Sequence, residues 1–224
     1  MKLIVPALTL MIFTSGFSNN RVNTSREIMI RSQYDLLAST DVKPSFDVFY
    51  KAIKGYTHLK TSNQLTNQKY LTVIDFSLSS NQKRLWIIDM DDLTVVHHTL
   101  VSHGRNTGDE FATKFSNVPN SNMSSLGFYV TGNTYFGKHG FSLYLNGMEE
   151  GVNDNALKRA IVMHSAAYAT DDFIKKAGRL GRSFGCPSIP PDQHKEIIEM
   201  IKQGSALFIY YPDQDYINMS KFLL

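Results

Sequence analysis

One cysteine, Cys186, stands in a chain of 224 residues, so no disulfide can form within it. Long apolar runs are also missing. The longest, residues 3–13, is broken at Pro6 and Thr9 and falls short of the ~18 residues that suggest a membrane helix. The seven histidines contain no His-Glu-x-x-His or comparable ligand spacing, which disfavours a zinc peptidase. Asp89, Asp91 and Asp92 crowd a hairpin turn without the rest of a calcium loop. No metal or cofactor is therefore expected. Lys and Arg number 23 but are scattered, so a net charge of +3 and a pI near 8.8 lend little support to nucleic-acid binding. With 42% hydrophobic and 19% charged residues, collagen-like, low-complexity and disordered classes are excluded, and one principal domain is expected.

What is present begins at the N-terminus. Lys2, the apolar run and the small residues of Gly16-Phe17-Ser18 have the layout of a signal peptide over residues 1–18, cleaved before Asn19 or, alternatively, at Ser15. A buried N-terminal helix or strand is the competing reading; Pro6 and the abrupt polar change at Asn19 favour export. No cysteine ends the run, which argues against lipid attachment there. Export gives the lone thiol meaning, because an oxidising compartment penalises stray cysteines. An unpaired cysteine also serves as a small buried hydrophobe. Its surroundings must decide.

Thr24 and Glu27 have capping-box spacing, predicting a helix over 25–38. Phe46, Phe49, Tyr50 and Ile53 follow helical spacing and Gly55 suits a left-handed cap, predicting a second helix over 45–54. From residue 70 the texture becomes β. Segments 70–78, 84–90 and 93–101 read as an antiparallel meander, with turns at Ser79-Ser80-Asn81 and Asp91-Asp92. The polar stretch 103–125 reads as a surface loop lining a cleft. Strands are predicted again at 127–130, 141–145 and 159–164, then a helix opened by Pro190-Pro191 and ended at Gly204, then a strand at 206–211. The class is mainly β (α+β) with peripheral helices. His97 and His98, adjacent in a strand, point to opposite faces and make a poor chelate, so both are read as structural.

Two places carry chemistry. Ile161-Val162-Met163-His164-Ser165 is an apolar strand that delivers a histidine; Gly181-Arg182-Ser183-Phe184-Gly185-Cys186-Pro187 is a loop that delivers the thiol. A thiol attacks as thiolate, and an imidazole in reach both takes its proton and stabilises the charge. Gly181 and Gly185 permit the tight backbone that aims N–H groups at an oxyanion.

These residues, with Tyr135, Gly137, Leu143 and Gly204…Phe208-Ile209, resemble the L,D-transpeptidase catalytic domain, the YkuD-like fold. The resemblance is narrower to murein L,D-transpeptidase catalytic domain proteins, through Asp75-Phe76-Ser77, His103-Gly104, Ser125-Leu126-Gly127, His139-Gly140, Asn153-Asp154-Asn155-Ala156 and the Cys186 loop. It covers roughly residues 45–212. It implies a β-sandwich or barrel; with the N-terminal pattern and the helical spacings, the chain divides into a signal peptide over 1–18, an N-terminal helical extension over 19–66 and the catalytic domain over 67–224. It further implies an exported, periplasmic or extracellular cysteine acyltransferase whose donor and acceptor are peptidoglycan stem peptides. Such an enzyme forms 3→3 cross-links with release of D-alanine and is inhibited by carbapenem-type β-lactams.

Residue by residue, the resemblance makes Cys186 the nucleophile and His164 the base. The Ser165 carbonyl becomes the orienter of the imidazole, and the N–H groups of Gly185 and Cys186, in the loop with Ser183, become the oxyanion donors. The sequence departs from the broad pattern at Phe184, where a histidine is usual, and at Pro187-Ser188, where a polar substrate contact is usual. His139, His103 and Arg182 are the candidates to replace them. Tyr135 holds substrate at the cleft mouth or is a packed aromatic; Arg182 binds a stem carboxylate or braces its loop. A hydrolytic L,D-carboxypeptidase and a non-catalytic wall-binding protein are the alternatives.

Overall fold

Residues 16–39 and 42–224 are described by a computed structural model; residues 1–15, most of the expected signal peptide, lie outside it. Helix α1 (Gly16–Leu36) runs straight through Thr24 and Glu27, so no capping box starts a helix there. No proline and no second glycine interrupts that span, and nothing local ends the helix sooner. Helix α2 (Phe46–Thr61) begins where the apolar spacing places it, with the Val48 N–H donating to the Ser45 hydroxyl as N-cap. It continues past Gly55, which is not a cap. A Cβ there would lie 2.0 Å from the Phe128 ring, so this glycine exists to let helix and sheet approach.

Eight strands form one mixed sheet: β1 (Tyr70–Asp75), β2 (Leu85–Asp89), β3 (Thr94–Thr99), β4 (Gly127–Gly137), β5 (Gly140–Gly147), β6 (Val162–Ser165), β7 (Ser188–Ile189) and β8 (Ala206–Tyr210). Their order is β3-β2-β1-β8-β4-β5-β6-β7. The expected meander is β1-β2-β3, and its turn is built by Asp89, whose carboxylate accepts the N–H groups of Asp91 at 3.0 Å and Asp92 at 3.4 Å. The last strand inserts between β1, parallel, and β4, antiparallel. The two edges also approach each other, because the Ser102 N–H just beyond β3 donates to the Ser188 carbonyl in β7 at 2.9 Å. The sheet thus curls almost into a barrel, mainly β with peripheral helices.

Short helices α3 (Asp171–Ala177), α4 (His194–Ile201) and α5 (Gln214–Met219) complete the chain. Neither α3 nor α5 nor the two-residue β7 shows a sequence period, since each is too short for one. Helix α4 starts four positions beyond Pro190 and buries Ile197, Ile198 and Ile201 as expected. Phe128 stacks on Phe208 at 4.2 Å across β4 and β8, and α2 adds Val48, Phe49, Ile53 and Leu59 to the same core. Fully burying each such side chain stabilises by roughly 1.5–3 kcal/mol.

Several residues of the family resemblance turn out to hold the frame. Buried Glu149 accepts the Phe128 N–H at 2.8 Å, the Tyr216 hydroxyl at 3.0 Å and the Ser220 hydroxyl, tying α5 to β4. Asn153 accepts the Glu149 N–H and donates to the Leu126 and Phe128 carbonyls at 2.9 and 3.0 Å. Gly127, at φ +98°, sits against that carboxylate, where a Cβ would lie 2.3 Å from Oε1. His98 stacks on Trp86, and His97 faces Glu196 at 3.4 Å.

Sheet register then positions the chemistry. Tyr135, Ser142, His164 and Ser188 are paired in one row across β4, β5, β6 and β7. Directly paired residues point to the same face, so His164 and Ser188 must meet there; a slip of one residue would part them.

Candidate active site

Strand β6 buries Val162 and Met163 in the core and delivers His164, 2% exposed, at the sheet face. The His164 Nδ1–H donates to the Ser165 carbonyl at 2.9 Å, which fixes the tautomer and leaves the lone pair on Nε2. That lone pair accepts from the Ser188 hydroxyl at 3.0 Å, and Ser188 Oγ lies 3.1 Å from the Tyr168 hydroxyl. The His139 ring, at the β4–β5 turn, stacks on the His164 imidazole at 4.3 Å. Burial holds the His164 pKa below its ordinary value, against the opposing pull of the Ser165 bond.

The cysteine loop is fastened from both sides. Gly185 adopts φ +126°, and a Cβ would come within 2.7 Å of the Met123 carbonyl, so only glycine fits. The Ser183 hydroxyl accepts the Gly185 N–H at 3.0 Å and donates to the Cys186 carbonyl at 2.6 Å. From the wall formed by residues 103–125, Ser124 donates its hydroxyl to the Gly185 carbonyl at 3.0 Å and accepts the Gly104 N–H at 3.1 Å. Buried His103, Thr107, Ser124 and Ser125 make this stretch a packed wall as much as a surface loop.

Half-buried Cys186 receives the Val162 N–H at 3.5 Å and directs its own S–H toward the Ala160 carbonyl at 3.6 Å. Ala160 takes φ +52°, a left-handed conformation that alanine rarely adopts, so the strand expected over 159–164 starts only at Val162 and runs to Ser165. Burial pushes the thiol pKa up, while the Val162 N–H and the Arg159 guanidinium pull it down. No hydrogen bond joins Cys186 to His164 among the described residues, and burial of each favours the neutral thiol and the neutral imidazole.

A model of the L,D-transpeptidase catalytic domain (YkuD_2) matches residues 40–210. The chain belongs to that family. Solved structures similar to it include an L,D-transpeptidase from Mycobacterium smegmatis, at 14% identity and TM-score 0.40, covering 64% of this chain and 59% of the other. The LD transpeptidase LdtMt1 in complex with imipenem is 12% identical with TM-score 0.39, over 63% and 59% of the two chains. The helical cell shape determining protein Pgp2 from Campylobacter jejuni, as a K307A mutant, is 8% identical with TM-score 0.45, over 71% and 54%. The chain therefore spans between half and three fifths of the length of these proteins. Comparison with curated proteins gave no match.

Within this L,D-transpeptidase domain the expected site residues separate into two groups. Cys186, His164, Ser165, Ser183, Gly185 and His139 come together, with Tyr135 nearby, stacked on Tyr144 at 4.5 Å. His103 and Arg182 do not join them. His103 is fully buried behind the loop, where its Nδ1 accepts from Arg84 Nη2 at 2.8 Å; burial and that cation push its pKa down to about 3. It cannot reach substrate. Arg182 braces the loop, donating to the Arg105 and Gly108 carbonyls at 3.2 and 3.0 Å and pairing with Asp109 at 3.1 Å.

Two backbone expectations also change. The Gly185 N–H is directed to Ser183, so it is not an oxyanion donor in this arrangement; the Cys186 N–H has no partner among the described residues. Gly181 has no left-handed φ, and a Cβ there would meet the Tyr168 side chain at 2.3 Å, so it makes room for that tyrosine. Sequence reasoning missed Ser188, Tyr168 and Arg159. Only Ser188 left a signal, being two positions beyond Cys186 and so on one face of any strand there.

Clefts of about 390 Å³ between α1 and α2 and about 550 Å³ beside α3 lie away from Cys186, which is why chemistry and not volume marks the site. Among the described residues no cluster of three His, Cys, Asp or Glu could hold a metal, and no helix is long and apolar enough to cross a membrane.

Proposed function

We propose that the protein is an exported cysteine acyltransferase of peptidoglycan, an L,D-transpeptidase that works through a Cys186 acyl-enzyme. The observation that carries the reading is on β6. Val162 touches the thiol by its N–H and His164 follows two residues later, a spacing of about 7 Å along a strand, with its lone pair on Nε2 held by the Ser188 hydroxyl. Membership of the L,D-transpeptidase family supports the substrate class proposed, an L,D peptide bond of a stem peptide.

In the proposed reaction the Cys186 proton passes to Nε2 as Sγ attacks the carbonyl of the third stem residue. The Cys186 N–H meets the developing oxyanion. Collapse breaks the bond to the terminal D-alanine, whose amine takes the proton back from the imidazolium. The amine of a second stem then attacks the thioester, His164 removes its proton, and the thiol is restored with a 3→3 cross-link formed. Water in place of that amine yields the tripeptide and makes the enzyme an L,D-carboxypeptidase. Export and a cell-wall location rest on the charge and apolar pattern of residues 1–18.

The test is a tetrapeptide muropeptide incubated with the protein and read by mass spectrometry. Dimers joined through third residues support transpeptidation, and tripeptide alone supports the carboxypeptidase. A carbapenem, whose strained ring acylates an activated thiol, should add its mass once to the wild type and not to Cys186→Ala. An adduct that persists in Cys186→Ala would show the nucleophile misassigned; no adduct and no turnover would leave a wall-binding protein.

A further inference from the structure

His164 presents a problem that the proposed reaction does not solve. A buried imidazole must become an imidazolium, and its Nε2–H must then find an acceptor in a site from which water is largely excluded. Among the described residues no Asp or Glu pairs with the ring. The groups that face it are the His139 ring stacked on it, Cys186 in the loop with Arg159 behind the thiol, and the hydroxyls of Ser188 and Tyr168.

In the resting state the direction of each bond is determined. Nδ1 donates to Ser165, so Nε2 accepts, so the Ser188 hydroxyl donates to it; Ser188 Oγ is then open to the Tyr168 O–H. Tyr168 also lies beside the Ser102 side chain. Hydroxyls differ from amides and carboxylates in that they reverse from donor to acceptor by rotating one hydrogen.

We propose that Ser188 and Tyr168 form a reversible hydroxyl chain that serves His164 in both protonation states, each hydroxyl rotating its hydrogen as the ring gains or loses a proton. Both are thus positioning residues for the reaction, a role that rests on the proposed assignment of His164 as the base. On protonation, Nε2–H donates to Ser188, Ser188 donates to Tyr168, and Tyr168 turns its hydrogen to Ser102. The chain gains and loses no proton; the one that leaves Sγ ends on Nε2.

The fold is built to keep Tyr168 there. Gly181 lacks a side chain where the tyrosine sits and donates its N–H to the Tyr168 carbonyl at 2.8 Å. Ser188 is fully buried and paired with His164 by strand register. The post-cysteine position at which the broad family pattern has a substrate contact here serves the base.

The experiment is an NMR pH titration of the His164 ring, its resonances assigned by comparison with His164→Gln. It is run on the wild type, Ser188→Ala, Ser188→Thr and Tyr168→Phe, beside the pH profile of carbapenem acylation. A hydrogen bond to the charged ring is roughly twice as strong as one to the neutral ring. Ser188→Ala should therefore lower the ring's titration midpoint by about one pH unit. Tyr168→Phe should lower it less, and Ser188→Thr should restore the wild-type value. A midpoint that stays or rises in Ser188→Ala overturns the proposal. The two readings fail separately: a shifted midpoint in a protein that never acylates sinks the enzymatic reading and leaves the hydroxyl chain. Normal acylation with an unmoved midpoint sinks the chain alone.

Discussion

Two buried histidines flank the cysteine loop, and they live in opposite electrostatic surroundings. Behind the loop, His103 lies against the Arg84 guanidinium, which also donates to the Val101 carbonyl at 3.0 Å and to Leu78 at 2.9 Å. In front of it, His164 rests on a carbonyl and a hydroxyl. A fixed cation forbids a second charge beside it, whereas a hydroxyl accommodates either state. Burial alone therefore does not make a histidine inert; its partner decides. The back region is a brace that must not titrate, and the front region, in the proposed reaction, must.

The hardest blow to that contrast is Arg84→Ala. It leaves the Leu78 and Val101 carbonyls and His103 without their donor in a buried place, and should cost about 3–5 kcal/mol in urea denaturation. A loss near zero would show that the brace is ornamental. The front region should respond in the other currency. His164→Gln is expected to change stability by less than about 1 kcal/mol while slowing carbapenem acylation on the order of 10²-fold. Unchanged acylation would exclude His164 as the base.

pH sharpens the comparison further. His103 titrates near 6.5 when unfolded and near 3 when folded. The unfolded chain thus binds the extra proton first, and the stability due to neutral His103 is full above pH 6.5 and is lost as pH falls toward 3. Denaturation at pH 7 and pH 5 should reveal up to ~1.4 kcal/mol per pH unit from this group, absent in His103→Gln. A slope that survives the substitution would assign the acid sensitivity elsewhere. The smallest effect is reserved for Arg182→Ala. Its contacts are loop carbonyls and one exposed aspartate, so stability should fall by less than about 1 kcal/mol and acylation by no more than about twofold to threefold. A larger loss of acylation with the fold intact would restore it as a substrate contact.

Reading the chain without its fold identified both halves of the contrast but misassigned one. His103, like His164, ends an apolar strand-like run and precedes a glycine-rich or small-residue stretch, so the two look alike in one dimension. What separates them is Arg84, nineteen positions from His103 and brought there by the β2–β3 hairpin. Gly181 and Gly185 show the same limit. Both read as loop glycines for an oxyanion, yet one is needed for a left-handed φ and the other for the ring of Tyr168. The capping box at Thr24 failed, because α1 runs through both of its residues although Gly16, Ser18, Asn19, Asn20, Asn23 and Thr24 are all weak helix formers.

Local pattern was sufficient for the mainly β class, the meander of β1 to β3, the amphipathic starts of α2 and α4, and a recognisable family in which Cys186 and His164 are the candidates for the chemistry. These depend on side-chain period, on turn chemistry and on a thiol and an imidazole in conspicuous contexts, all properties of contiguous residues. Tertiary structure alone decided the insertion of β8 between β1 and β4, the near closure at Ser102 and Ser188, and the identity of each histidine's partner. Hydrogen-bond partners far apart in sequence are chosen by strand register, and register is a property of the assembled sheet, not of any single strand.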